Sequence, residues 1–145
     1  MSMVDVSKKP DVYREATARG VIMLKAETTR LIKEGKIKKG NVVSVAQMAG
    51  VLAAKKTSEL IPLCHPLPLS DVQVTVEVID ATSVAAQATV KAITKTGVEM
   101  EALVAVSTAL LTVWDMTKQY EKDRQGQYPT TLIRDLRVVR KVKGT

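Results

Sequence analysis

The chain has 145 residues, 46% of them hydrophobic, which suits one compact core and leaves no room for two ordinary domains, so residues 1–145 are predicted to form a single domain. Lys and Arg number 22 against 15 Asp and Glu, and the net charge of +7 predicts a surface that attracts nucleic acid, acidic membrane or a polyphosphate metabolite. Aromatic residues make up only 3%, which disfavours the base-stacking surfaces of single-strand binding proteins.

The supply of cysteine and histidine limits disulfide and metal chemistry. Cys64 is the only cysteine and His65 the only histidine, so we expect neither an internal disulfide nor an ordinary zinc site within one chain, and we predict no metal and no other cofactor. The sequence has no signal-like start, and we expect no apolar run long enough to span a bilayer. The cytoplasm is therefore the predicted location, without a membrane partner.

Hydrophobic periodicity divides the chain into strands and helices. In chain order it predicts a strand at 12–24, a helix at 26–34 that Gly35 can end, a helix from Ser44 to about Thr57, a hairpin of strands at 72–78 and 84–92, a helix from 96 to about 122 and a closing strand at 132–141. Ser44 is expected to cap the second helix, and Thr96 with Glu99 to form a capping box for the last. This order predicts an α+β fold of the ferredoxin-like type, with helices on one face of an antiparallel sheet.

A proline-rich loop at residues 60–68 is the first candidate for chemistry. Three prolines exclude a regular helix or a central strand there, so the loop is expected to be rigid and to aim one ring nitrogen of His65 at a ligand. A histidine that only hydrogen-bonds nearby backbone explains the pattern equally well.

Two further candidates lie on the long helix. Residues 97–101 open it, and the free amides and positive dipole end of a helix start can hold an anion, although acids at a helix start are common. Asp115 and Lys118 are three residues apart on one helix face, which also suits a solvated surface ion pair.

The spacing along this helix has a consequence for assembly. Glu101 and Asp115 are 14 residues apart, so they lie on nearly one face but roughly 21 Å apart along the axis. They cannot both serve one small site within a subunit, and a site that uses both requires an oligomer. Basic side chains that could hold phosphates are Arg14, Lys39, Lys55, Lys56, Lys118 and Lys141.

Four strings of residues resemble the molybdenum cofactor biosynthesis protein C family, the cyclic pyranopterin monophosphate synthases. They are MVDVS at 3–7, LIPLCHPL at 60–67, TGVEMEAL at 96–103 and WDMTK at 114–118. The resemblance is collinear over nearly the whole chain. It implies a ferredoxin-like subunit in a homo-hexamer, a trimer of dimers, with active sites between subunits.

The resemblance also implies an activity. Its substrate would be a 3′,8-cyclised dihydro-GTP, a small molecule derived from guanosine triphosphate, and its products cyclic pyranopterin monophosphate and diphosphate. By position, Asp115 matches the active-site acid, and Lys39 and Lys118 match lysines of the proton transfers. The implied substrate-binding positions are Arg14, Lys55, Leu63, Cys64, His65, Glu99, Met100, Glu101 and Lys141.

This sequence departs from the family pattern in three places. Trp114 stands where Tyr is expected, Thr117 stands where Cys is expected, and the glycine-rich tail is shortened to residues 143–145. The short tail bears on the contribution expected from Lys141.

Two other classes of protein stay open. A nucleic-acid-binding module would need exposed aromatic residues on the central strands, and residues 72–79 and 132–141 contain none, so no nucleic-acid partner is predicted. A regulatory module that binds a nucleotide without chemistry would keep the basic residues but would not need an acid at Asp115.

Overall fold

The computed structural model describes residues 1–144, which form a four-stranded sheet and four helices. The elements are β1 (Val12–Met23), α1 (Ala26–Glu34), α2 (Val42–Lys55), α3 (Thr57–Leu60), β2 (Leu69–Asp80), β3 (Ser83–Thr94), α4 (Glu99–Glu121) and β4 (Leu132–Lys143). The sheet order is β2-β3-β1-β4, with every neighbouring pair antiparallel. Helices pack on the sheet, so the predicted α+β fold of ferredoxin-like arrangement is confirmed.

The core joins the sheet to α4 through small side chains. Ala16, Ala18 and Ile22 of β1 are fully buried, as alternation along a half-covered strand requires. Gly20 continues this face, and a Cβ atom there would lie 2.9 Å from Leu110 Cδ1. Glycine therefore does not interrupt β1, because its missing side chain lets the helix approach the strand.

Helix α4 is the central helix of the fold. The buried residues that make it apolar include Ala102, Ala105, Val106, Ala109, Leu110 and Val113. Leu103 of the same helix is partly buried and packs against the core. We expected no apolar run long enough to span a bilayer, and this was wrong: α4 is long and apolar enough by length and composition. Half of its most apolar window is buried inside the protein, as befits a core helix.

The predicted start of α2 was wrong. Asn41 is the N-cap, and its side chain accepts a hydrogen bond from the backbone N–H of Ser44 at 2.9 Å. Ser44 is thus the third helical residue rather than the cap. The helix also ends at Lys55, and Thr57 begins the short α3.

The capping box predicted for α4 is also absent. Val98 occupies the N-cap position and makes no side-chain cap, so Glu99 is the first helical residue and cannot reach back to Thr96 as a box requires. The carboxylate of Glu99 instead pairs with Lys141 of β4.

The far end of α4 is anchored by the fully buried Glu121. Its carboxylate accepts hydrogen bonds from the backbone N–H of Lys25 at 3.0 Å, from the Thr28 hydroxyl and from the Thr131 hydroxyl at 2.6 Å. These donors come from the start of α1 and from the residue before β4. One side chain therefore ties three segments of the chain together.

Strand β4 runs two residues beyond the predicted 141. Lys143 pairs with Arg14, and the N–H of Gly144 donates to the carbonyl of Tyr13 at 2.8 Å, so the short tail follows β1 as a strand. The remaining residue of the predicted tail, Thr145, lies outside the described residues.

Candidate functional site

Two lysines and one aspartate form a cluster near the end of α4, here called the lysine–aspartate cluster. Lys39, from the turn between α1 and α2, places its Nζ atom 3.1 Å from Asp115 Oδ2 and donates to the Asp115 carbonyl at 2.8 Å. Lys118, one turn farther along α4, places its Nζ atom 3.2 Å from Asp115 Oδ1. The three predicted catalytic residues thus lie together, although Lys39 is 76 positions from Asp115.

The lysine–aspartate cluster is open to solvent and keeps its carboxylate charged. The Asp115 side chain is 60% exposed. Hydrogen bonds from Lys39 and then Lys118 lower the pKa of Asp115 below its ordinary value. The arrangement offers two ammonium donors that share one carboxylate acceptor. Within residues 1–144, no group of three or more His, Cys, Asp or Glu side chains is placed to hold a metal ion.

A second region, here called the groove, lies at the start of α4. It encloses about 430 Å³ and is lined by Val4, Val6, Lys9, Ile61, Leu63, Cys64, His65, Thr96, Gly97, Glu99 and Met100. The groove therefore brings together five of the predicted substrate-binding positions, from the proline-rich loop and the helix start.

The N-terminal segment forms one wall of the groove, which reasoning from the residues missed. His65 Nε2 lies 2.7 Å from the carbonyl oxygen of Val4, and Lys95 Nζ donates to the carbonyl of Lys9 at 2.9 Å. His65 Nε2 contacts a backbone oxygen here, so the binding of a ligand by a His65 ring nitrogen stays a prediction. The string at residues 3–7 was the only sequence signal for this wall.

An ion pair links the start of α4 to β4 beside the groove. Lys141 Nζ lies 2.7 Å from Glu99 Oε1. Burial raises the pKa of Glu99, but the bond to Lys141 and the charges of Lys141 and Arg14 outweigh it, so the net pKa is lowered. The Arg14 side chain is buried and donates through Nη2 to the Lys95 carbonyl at 3.4 Å. Arg14, Glu99 and Lys141 therefore form one charged group.

Glu101 has the opposite environment one step along the same helix. It is only 3% exposed, and its Oε2 atom lies 3.8 Å from Cys64 Sγ, the one contact to a side-chain donor that the described residues give it. Burial and the charge of Glu99 raise the pKa of Glu101. Burial and the neighbouring Glu101 raise the pKa of the Cys64 thiol. This pair therefore tends to hold its protons.

Lys55 lies apart from both regions. It lines a separate cavity of about 540 Å³ together with Val51, Leu67, Leu69, Ser70, Asp71 and Val72. One chain therefore presents three groups of predicted site residues that do not converge. Because α4 is continuous from Glu99 to Glu121, the separation of roughly 21 Å between Glu101 and Asp115 holds.

The sequence matches the MoaC family over residues 3–144. It is similar to two proteins named probable cyclic pyranopterin monophosphate synthase. The one from Thermococcus kodakarensis is 60% identical over 144 residues, 99% of this chain and 92% of the relative, and the one from Pyrococcus furiosus is 56% identical over 143 residues, 99% and 91% of the two chains.

A third relative carries a different name. The protein from Methanothermobacter thermautotrophicus, 55% identical over 141 residues, 97% of this chain and 88% of the relative, is named a probable cyclic pyranopterin monophosphate synthase accessory protein. Among solved structures, a chain of the ferredoxin protease FusC in complex with Arabidopsis ferredoxin gives a TM-score of 0.40 at 18% identity, covering 87% of this chain and 13% of that one. That similarity is too low to support an argument.

Proposed function

Because the chain belongs to the MoaC family, we propose that it is a cyclic pyranopterin monophosphate synthase, a lyase of molybdenum cofactor biosynthesis. The observation that carries this proposal is the match over nearly the entire chain to relatives of that name, at up to 60% identity. The similarity covers 99% of this chain and more than nine-tenths of each of these two relatives, so neither relative has a large domain that this chain lacks.

The proposed substrate is the 3′,8-cyclised dihydro-GTP, and the products are cyclic pyranopterin monophosphate and diphosphate. One ring of the substrate opens, the pterin ring closes, and a ribose oxygen attacks the innermost phosphorus while diphosphate leaves. Each of these steps moves protons, so the reaction needs donors and acceptors close to the reacting atoms.

We assign the proton transfers to the lysine–aspartate cluster. Asp115 stays ionised and holds both ammonium groups within 3.2 Å of its oxygens. Two ammonium groups on one carboxylate place proton donors side by side, and a lysine that has given up its proton becomes an acceptor. Lys39 and Lys118 can then act as a donor and acceptor pair without a metal ion.

The groove is assigned to substrate binding. The cations of Arg14 and Lys141 supply fixed positive charge that can stabilise the charge developing on the leaving diphosphate. The carboxyl groups of Glu99 and Glu101 can accept hydrogen bonds from the N–H groups of a guanine-derived ring. Leu63, Cys64, His65 and Met100 complete the proposed walls, and Lys55 is assigned to a phosphate contact.

A complete site in this proposal combines groups from different subunits of a homo-hexamer, a trimer of dimers. The distance between the ends of α4 supports this, and so does a stripe of apolar side chains on α2. Val45, Met48 and Leu52 recur at helical spacing and are 45%, 61% and 49% exposed. An apolar stripe of this kind is typical of a surface that another protein covers. The proposed location is the cytoplasm.

The test is turnover of the purified protein. The cyclised dihydro-GTP is added, and diphosphate and the pterin product are followed by mass spectrometry, with light scattering on the same sample. We expect both products from a hexamer. Tight binding without turnover would contradict an enzyme and favour the regulatory module, and full activity from a monomer would contradict the shared site.

A further inference from the structure

The turn that carries Lys39 is held against α4 by the side chain of Tyr120, which belongs to none of the sequence motifs. The backbone N–H of Lys38 donates a hydrogen bond to the hydroxyl of Tyr120 at 2.8 Å. The next residue, Lys39, reaches the carboxylate and the carbonyl of Asp115. We propose that Tyr120 is a positioning residue, which holds the Lys39 ammonium against Asp115.

The Lys39 ammonium needs a fixed backbone to stay against Asp115, because the Lys39 side chain is long and 41% exposed. Fixing a lysine in one geometry at an exposed site loses much rotamer freedom, so an ion pair there is weak unless its backbone is already in place. The N–H of Gly40 donates to the carbonyl of Ile37 at 3.1 Å, but this bond lies within the turn and does not join it to α4. The Tyr120 hydroxyl supplies that connection.

Tyr120 is suited to the task because its two ends lie in different environments. The ring packs against the hydrophobic core, and the hydroxyl reaches the backbone of the turn. It lies on the same helix as Asp115 and Lys118, two positions beyond Lys118. A rigid helix therefore fixes the hydrogen-bond acceptor relative to the carboxylate.

The residue type matters more than its packing. A phenylalanine could fill the same space but offers no acceptor for the Lys38 amide. Tyr120 makes no hydrogen bond to Asp115 itself, so it acts through Lys39. The catalytic consequence rests on the proposed function, whereas the contact between the turn and α4 does not.

The experiment compares Tyr120→Phe with Tyr128→Phe as the matched control, since Tyr128 meets α4 through its ring, 5.1 Å from the Trp114 ring centroid. The pKa of Asp115 is measured by carbon-13 NMR on protein labelled at aspartate. Two cations, Lys39 and Lys118, face this carboxylate. We expect Tyr120→Phe to raise the pKa part of the way to its value in Lys39→Met, and Tyr128→Phe to leave it unchanged.

Steady-state kinetics on the same variants test the catalytic consequence. Loss of one hydrogen bond of ordinary net strength predicts a roughly three- to ten-fold lower kcat for Tyr120→Phe, with KM little changed and the acidic limb of the kcat profile moved to higher pH. A general loss of structure would not move that limb.

A double variant separates positioning from a structural role. If Tyr120 acts through Lys39, adding Tyr120→Phe to Lys39→Met leaves the pKa of Asp115 where Lys39→Met alone puts it. A further shift in the double variant overturns the proposal, and so does an unchanged pKa or an unchanged kcat in Tyr120→Phe. If the wild-type protein has no synthase activity, the proposed function fails, while the titration still decides whether Tyr120 holds Lys39.

Discussion

The two ends of α4 each carry a carboxylate that we assign to the active site, and their surroundings are opposite. Glu101, near the start, is 3% exposed and has a raised pKa because it is buried with little to pair with. Asp115, 14 residues later, has a side chain 60% exposed and a lowered pKa because Lys39 and Lys118 bind it.

The difference shows that neighbours, more than residue type, set what a carboxyl group can do. Burial without a cation favours the neutral form, and two ammonium groups favour the anion. Environments that drive two pKa values apart are typical of sites that separate acid from base. The surroundings of Glu101 thus favour its neutral form, and those of Asp115 favour the anion between two lysines.

The largest expected effect tests the Asp115 end. Asp115→Asn removes the anion that holds both lysines, and we expect kcat to fall by about 10²- to 10⁴-fold, the range for a lost acid–base group. The melting temperature should change little because the side chain is exposed. Diphosphate release measures kcat, and thermal unfolding measures the melting temperature. Glu77→Gln on β2 is the control, and more than a tenth of wild-type activity in Asp115→Asn would refute the assignment.

The next prediction tests whether the two ends belong to one site. Asp115→Asn and Glu101→Gln subunits are each expected to be inactive alone, but each keeps the end that the other lacks. Random co-assembly in equal amounts should restore about a quarter of wild-type activity if each site takes one end from each of two subunits. Co-expressed protein is assayed against each variant assembled with itself. No recovery from mixed oligomers would show that the ends do not share a site.

A third carboxylate on α4 sharpens the comparison. Glu121 is as buried as Glu101, but its carboxylate is hydrogen-bonded. Its removal therefore leaves several buried donors without an acceptor. Glu121→Ala should lower the free energy of unfolding by about 3 kcal/mol, and Thr131→Val by about 1 kcal/mol. Urea unfolding at fixed protein concentration measures both. Glu77→Ala should stay within about 0.5 kcal/mol, and an equally small effect at Glu121 would contradict the structural role.

The smallest effect is a pH dependence at Glu101. Because its pKa is raised on folding, Glu101 contributes stability below its ordinary value of 4.5, and that contribution is lost as pH rises through the folded pKa. Glu101→Gln cannot ionise, so its stability relative to wild type should increase as pH rises through this window. Thermal unfolding from acid to neutral pH tests this. A difference independent of pH would show that Glu101 titrates normally.

Much of the fold could be predicted because it depends on local pattern. The alternation in β2 and β3 and the period of α4 follow directly from side chains that must face a core. The two helix starts were wrong because a cap depends on which of several suitable residues takes the extended backbone. Asn41 and Ser44 are both good caps three positions apart, and only the path of the chain into α2 chose between them.

The residues alone predicted several candidates, among them Asp115 with Lys118, but not which of them the fold brings together. Nothing local in the turn at Lys39 indicates Asp115, and one lysine among many surface lysines has no periodic signal. Tyr120 and the Lys9 carbonyl were missed for the same reason, since neither a helix hydroxyl nor a backbone oxygen before β1 has a motif. The groups assembled by the fold became visible only when packing placed them together.

By itself, the sequence determined the order of strands and helices, the antiparallel α+β arrangement and the family, because periodicity and long collinear strings survive without knowledge of contacts. Only the tertiary structure decided that Glu101 is buried with so few partners, that Glu121 ties α4 to two other segments, and that Tyr120 lies against the turn of Lys39. Those properties depend on which side chains meet across dozens of intervening residues, and packing settles that through burial, hydrogen bonding and charge.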